Sequence, residues 1–501
     1  GLKPAVITAF GLHLNISRRF VETRHCLVSV YCFLCITGDF MINDLKNIER
    51  LAEVLNGTII YKPENINCFT GKISIDSRNI NEGDLFVPLK GENFDGHNFI
   101  KDVSTKCAGF LKSKSFELTE QFENLFCIEV EDTLIALQQL GKKNREFCNC
   151  KIVGITGTNG KTSTKEITGN ILKILNKDTF YSKKNLNNHI GVPLNLLELD
   201  ESVQFAVFEM GASAMGEIEL LSSLVLPDVS LITNVAPAHL EGFGSIENIL
   251  KTKTEIFNNT KKYKIVNNDN SYLKEYAKDK KVLTYGYERG SSLLIQNIHV
   301  TNELSSITFG FQGIDYHLKT TLPGVHNIYN LLGAILCIYH LGFNIYDIID
   351  AIDKLKLEID GRLKKVFASG INFYDDSYNA NPLSVQAGIN YFNEQIKGKK
   401  THSIVILGEM KELGEFTTHY HKEIGIFLSK FKFDEIFLFG EATKHTLLAL
   451  PLTQSVKWFD NHNDVIENIK YSKINNRKMD IYIKGSRSNK LEVILKHFNK
   501  E

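Results

Sequence analysis

One stretch restricts the fold more than any other. The apolar run Lys151-Ile-Val-Gly-Ile-Thr156 passes through Gly157-Thr158-Asn159-Gly160-Lys161-Thr162 into a segment whose Ile167, Ile171, Leu172 and Leu175 recur at helical spacing. A strand that turns through glycines into an amphipathic helix is the opening unit of a parallel sheet covered on both faces. The same turn has a chemistry. Glycines let successive N–H groups curl around phosphate oxygens, the helix N-terminus adds its positive dipole, Lys161 can bridge outer phosphates, and Thr162 can ligate Mg²⁺. It departs from a strict phosphate-loop pattern, because Ile155 stands where the first glycine would be. A chance glycine-rich turn is the bland alternative; the strand-turn-helix context and the Gly-Lys-Thr ending favour nucleotide binding.

Around this unit the chain divides into three blocks. Residues 41–145 mix short strands and turns, at Ile73–Arg78 and Asp84–Gly91, with a helix-like stretch near Thr133–Lys143. Residues 146–358 add apolar strands at Phe205–Gly211 and Val229–Val235 and a buried-looking helix from His326 to a stop at Gly342. Residues 359–501 repeat the alternation, with strands at Ile371–Ser377, Ser403–Met410, Glu435–Gly440 and Met479–Arg487. Gly, Asp, Ser or Arg stands at or within two residues of each of these ends, where open α/β sheets place their ligands. The expected fold class is therefore α/β in three domains, with a P-loop parallel-sheet central domain and a Rossmann-like C-terminal one.

The 58 Lys+Arg residues balance 58 Asp+Glu, so no electrostatic footprint for nucleic acid exists and none is expected as a partner. Nine scattered cysteines suit a reducing cytoplasm better than a disulfide framework, and Cys148 and Cys150 lack the second pair a zinc site needs. Residues 1–40 read differently: they crowd in Cys26, Cys32 and Cys35 and carry the apolar run Leu27–Ile36. That run is about ten residues, too short to span a bilayer, so no stable membrane insertion is expected. Met41 is the expected natural start, followed by an amphipathic helix stopped by Gly57.

Later strand ends of the central block offer weaker candidates. Glu209 could reach a hard cation, yet a lone strand-end Glu is more often structural. His239 is by default a hydrogen-bonded loop histidine, and Lys251 and Lys253 are by default solvated helix charges. Their order behind a phosphate loop gives them weight. GTNGKT (157–162), NLNNHIGVPLNLL (185–197), FEMGAS (208–213), TNVAPAHLEGFGS (233–245), KTKTEIF (251–257), GVHNIYNLLGA (324–334), DGR (360–362), YDDSYNANP (374–382) and LGEMKELG (407–414), taken together, resemble the Mur ligase family. The spacing is most similar to the branch that adds D-alanyl-D-alanine to UDP-MurNAc-tripeptide. Asp76-Ser77-Arg78 and the LFVPLKGENFDGHNFI that follows are similar to that branch's N-terminal unit. The Asp-Asn-Pro-Arg tetrapeptide usual in the diaminopimelate- or lysine-adding relative is absent.

The resemblance implies a cytoplasmic, monomeric, ATP- and Mg²⁺-dependent amide ligase acting on UDP-MurNAc-tripeptide and D-Ala-D-Ala. It implies that Gly157 to Thr162 bind ATP, with Asn327 and Asn330 facing the adenine, Asp376 near the ribose and Arg362 reaching the γ-phosphate. Thr162 and Glu209 would hold one Mg²⁺; His239 and a carbamylated Lys253 would hold a second. Lys161, His239, Lys253 and Arg362 form the catalytic set. Asp76, Ser77 and Arg78 are candidates for the UDP-linked donor, together with Asn187 and Asn188, and Asn379, Asn381 and Glu409 for the acceptor. The C-terminal block is expected to close onto the central one about Gly361, so that an unliganded molecule could hold Arg362 and Asp376 apart from the loop. Two alternatives stay open: another UDP-MurNAc-peptide or folylpolyglutamate-like ligase, and a non-catalytic nucleotide-binding homologue.

Overall fold

The structure, a computed structural model, describes residues 45–183, 185–301, 304–475 and 478–499. Residues 1–40 and Met41 lie outside the described residues. Three sheets organise the chain. The first has five strands in the order Thr58–Tyr61, Phe126–Val130, Gly109–Ser113, Leu85–Phe86, Ile73–Ser74, parallel except for the first pairing. The two runs read as full strands near Ser74 and Phe86 shrink to two residues each, because a 3₁₀ turn at Ser77–Asn79 takes over from the first. The helix foreseen at Thr133–Lys143 runs on to Phe147 and is capped by Asp132, whose side chain accepts from the N–H groups of Leu134 and Ile135.

The second sheet has nine strands. In order they are Ile314–Thr320, Ser305–Phe311, Leu293–His299, Val282–Gly286, Tyr263–Asn267, Val229–Ile232, Lys151–Thr156, Phe205–Glu209 and Thr179–Tyr181. From Leu293–His299 to Thr179–Tyr181 every pairing is parallel. Alternate residues of the strand at Lys151–Thr156 feed two cores. Val153 and Ile155 pack with Ile167, Ile171 and the helix Val325–His340, while Ile152 packs with Phe208, Met210 and Val225. Two further strands at the far edge pair antiparallel and extend the parallel sheet expected from sequence. Their alternating burial marks them as strands with one face against the helices.

The third sheet runs Lys364–Ala368, Ile371–Asp375, Met479–Lys484, His402–Gly408, Glu435–Phe439, Val456–Phe459, parallel apart from its first, antiparallel edge. It too is buried on both faces, with Val405, Leu407 and Tyr482 on one side and Ile404, Ile406 and Ile483 on the other. The sheets are arranged so that carboxyl ends of strands from the second and third face one another across a cleft. Among the described residues, no helix is long and apolar enough to cross a membrane.

Candidate active site

The glycine turn is held open by its backbone geometry. Gly157 (φ +142°) and Gly160 (φ +79°) occupy conformations that side chains rarely adopt, and a Cβ on them would lie 2.0 Å from Thr233 Oγ1 and 2.4 Å from Asn330 Oδ1. The neighbouring strand end fixes the loop from outside: Asn234 Oδ1 accepts from the Asn159 N–H at 2.9 Å, and the Thr233 hydroxyl donates to the Asn159 carbonyl at 2.6 Å. Lys161 opens the helix and folds back, its ammonium donating to the carbonyls of Gly157 (2.8 Å) and Thr158 (3.0 Å). Burial lowers its pKa, and Arg362 lowers it further against the pull of Glu209.

Glu209 ends its strand beside this turn and is buried. Its Oε1 accepts from the Thr162 hydroxyl (3.1 Å) and the Asn187 amide (2.7 Å), whereas Oε2 is buried with no hydrogen-bond partner among the described residues. An ionised oxygen left without donors in a buried position is costly, and a hard cation is the natural partner for it. The chemistry of the donor set therefore fits Mg²⁺ at Thr162 and Glu209.

From the C-terminal unit three contacts reach the same rim. Arg362 sits over the Tyr378 ring, its guanidinium carbon 4.6 Å from the centroid, and donates to the Thr162 hydroxyl at 3.3 Å. Asn381, the capping residue of helix Pro382–Ile396, exchanges amide hydrogen bonds with Asn159 at 2.6 and 3.2 Å. His239 pairs through Nδ1 with the Glu412 carboxylate, and this bond holds the Glu412 pKa below the usual carboxylate range. In this structure the two units are docked, with Arg362 touching the loop. The cleft between them measures about 720 Å³ and is lined by Thr158 to Thr162 of the phosphate loop, Asn187, Asn188, Glu209, His239, Asn327, Asn330, Arg362, Asp376, Asn379 and Asn381.

Models of the Mur ligase middle domain and the Mur ligase glutamate ligase domain match residues 155–338 and 361–487, and a Mur ligase family catalytic-domain model matches 71–109. The chain is 33% identical to the UDP-N-acetylmuramoyl-tripeptide--D-alanyl-D-alanine ligase of Bacillus subtilis, over 90% of its own length and 98% of the relative's. The chain belongs to the Mur ligase family. To the Escherichia coli ligase of the same name this Mur ligase is 31% identical, over 90% of the chain and 97% of the relative. Among solved structures it resembles MurF from Acinetobacter baumannii, with a TM-score of 0.82 and 28% identity over 91% of this chain and 99% of that one. It also resembles the MurF ligase of Thermotoga maritima in complex with ADP, with a TM-score of 0.74 and 26% identity over 86% and 98%.

Other expected residues of this Mur ligase stand farther back. Lys253 is buried beneath the cleft, its ammonium 3.4 Å from the Ala212 carbonyl and 5.3 Å above the Phe243 ring, whereas Lys251 is exposed. Burial, reinforced by Lys161, lowers the Lys253 pKa to about 7. Asp76, Ser77 and Arg78 do not line the cleft. Asp76 caps the turn Ser77–Asn79, and its bonds from Arg78 at 2.8 and 3.0 Å and from the Arg78 N–H bring its pKa to about 2. Asn188, though it lines the cleft, also braces the turn ahead of the helix Gly191–Leu196 by accepting from the Gly191 N–H at 2.8 Å. Glu409 is not brought into the cleft either: it accepts from the Ala442 N–H at 2.8 Å and pairs with Lys411, and these bonds outweigh burial to keep its pKa low.

Sequence reasoning missed Lys484. It ends the strand Met479–Lys484 and lines the cleft, donating to Asp376 Oδ2 (2.7 Å) and to the Asn379 carbonyl (3.0 Å), while Tyr482 donates to the same Asp376 oxygen at 2.9 Å. Its only signal was a strand ending in Lys-Gly-Ser-Arg. Glu412 was missed as well, although it stands within the LGEMKELG motif.

Proposed function

We propose that this Mur ligase joins D-alanyl-D-alanine to UDP-MurNAc-tripeptide, cleaving ATP to ADP and phosphate. The observation that carries the reading is the match to ligases of that name over 90% of the chain and nearly all of each relative. A carboxylate is a poor electrophile, so the donor carboxylate first attacks the γ-phosphorus, ADP leaves, and an acyl phosphate results. The neutral amine of the dipeptide then adds to the acyl carbon, and collapse of the tetrahedral intermediate expels phosphate as the amine proton is lost. Such chemistry asks chiefly for positioning and charge neutralisation.

Lys161 and the N–H groups of Gly157 to Thr162 would cradle the phosphates, with Arg362 meeting the γ-phosphate from the opposite wall. Asn327 and Asn330 would flank the adenine and Asp376 the ribose, its carboxylate steadied by Lys484. Thr162 and Glu209 would hold one Mg²⁺, with His239 and carbamylated Lys253 serving a second; the ions neutralise phosphate charge when bound. Asp76, Ser77, Arg78, Asn187 and Asn188 would serve the donor, and Asn379 and Asn381 the acceptor; Glu409 supports its own loop instead. The reaction belongs in the cytoplasm, where ATP is made, and needs one copy of the chain.

The test is product release from the purified protein. ADP and phosphate should appear together only when ATP, Mg²⁺, UDP-MurNAc-tripeptide and D-Ala-D-Ala are all present, with a pentapeptide product of matching amount. Equal turnover with a single amino acid or with glutamate in place of the dipeptide would move the chain to another branch of the family.

A further inference from the structure

His239 owes its orientation to the opposite unit. It stands at φ +51°, and its partner Glu412 at φ +64°, both in the left-handed region where ordinary side chains are uncommon. The two loops meet through backbone as well: the Glu241 N–H donates to the Glu412 carbonyl at 3.3 Å, and a Cβ on Gly414 (φ +55°) would lie 3.4 Å from the Glu241 Cα. Tyr420, three residues into the helix Thr417–Leu428, packs against apolar cores of both units and anchors the approach. Backbone in a sparsely populated region persists where surroundings over-determine it, and such positions cluster at functional sites.

The bond runs to Nδ1, which leaves Nε2 to serve the cleft that His239 lines. A carboxylate accepting from one ring nitrogen fixes the tautomer and raises the basicity of the other. We infer that Glu412 is a positioning residue supplied by the C-terminal unit: by accepting from His239 Nδ1–H it sets Nε2 as the metal-binding nitrogen, so that the second cation site is complete only when the two units are docked. The alternative is a half-exposed ion pair that merely helps docking, which is worth little by itself.

This rests on the assignment of His239 as a metal ligand, and the tests separate the two. ¹⁵N-histidine spectra of the metal-free protein should show His239 protonated at Nδ1, and E412A should shift it toward the Nε2–H form that free imidazole favours. E412Q, whose amide oxygen still accepts, should keep the Nδ1–H form. Binding of Mn²⁺ to the ADP-loaded protein, followed by electron paramagnetic resonance without turnover, should weaken about tenfold in E412A and less than about threefold in E412Q. In the H239A background, E412A should change nothing further. An unchanged tautomer, or Mn²⁺ affinity equal in E412A and the parent while H239A loses it, would overturn the role of Glu412 and leave the ligand assignment standing. Additive losses in the double variant would overturn it too. Mn²⁺ affinity unaffected by H239A would remove the ligand assignment, and this role with it.

Discussion

Two lysines only two residues apart, and so on opposite faces of one helix, allow a quantitative test. With its pKa lowered to about 7, Lys253 is roughly nine-tenths neutral at pH 8, whereas a lysine near 10.5 is neutral to only about 0.3%, a difference of roughly 300-fold in the form that reacts with CO₂. The amine nitrogen adds to the carbon of CO₂ and loses a proton, and the cation becomes an anionic carbamate with oxygens suited to a hard metal. The sign follows from the direction of the shift: modification is favoured above pH 7 and fails as pH falls through that value and the amine takes up its proton. Lys253→Ala should cost on the order of 100-fold in the rate of ADP formation, partly restored by short carboxylates, while Lys251→Ala should stay within about twofold, as befits an exposed surface residue. ¹³CO₂ should give one carbamate carbon resonance, absent from Lys253→Ala, and degassed buffer should depress activity. Equal losses in the two variants, or an intact ¹³C signal in Lys253→Ala, would refute the argument.

Lys161→Ala should abolish ADP formation while binding of UDP-MurNAc-tripeptide, measured by calorimetry, persists, because the phosphate loop and the five-stranded unit are separate structures. Gly160→Ala should weaken ATP binding and lower thermal stability by about 1–3 kcal/mol, since its Cβ would meet Asn330 Oδ1 at 2.4 Å in a φ of +79°; a melting temperature equal to the parent's would contradict this. Arg362→Lys should retain little activity, for an ammonium lacks the planar fork that can lie over Tyr378 while donating to Thr162; the ratio of kcat to that of Arg362→Ala reads this out. Lys484→Met should raise the KM for ATP more than it changes kcat, because Asp376 loses the ammonium that orients it.

What sequence made legible was whatever depends on local pattern. The strand-turn-helix at Lys151–Leu175 follows from apolar spacing and glycines, and the strands ending at Asp375, Gly408 and Lys484 follow from apolar runs bounded by turn residues. The antiparallel edge at Leu293–Thr320 was not recovered, because its alternation sets no partner or direction until the neighbouring strand is in place. Asp76 shows the same limit at a side chain: its capping of the next turn depends on a 3₁₀ bend that propensity does not announce. Lys484 and Glu412 were hidden for a different reason, since their partners lie over a hundred positions away in sequence.

The paired amides of Asn159 and Asn381 give the docking of the two units a particular response to its medium. Each side chain both gives and accepts, so the clasp carries no net charge and has no group that titrates in the physiological range. Ions that screen Arg362 from the phosphates it is placed to meet leave this clasp untouched. Rising ionic strength would then attenuate the electrostatic part of the reaction and weaken the His239–Glu412 pair, while this clasp would go on holding the two walls together.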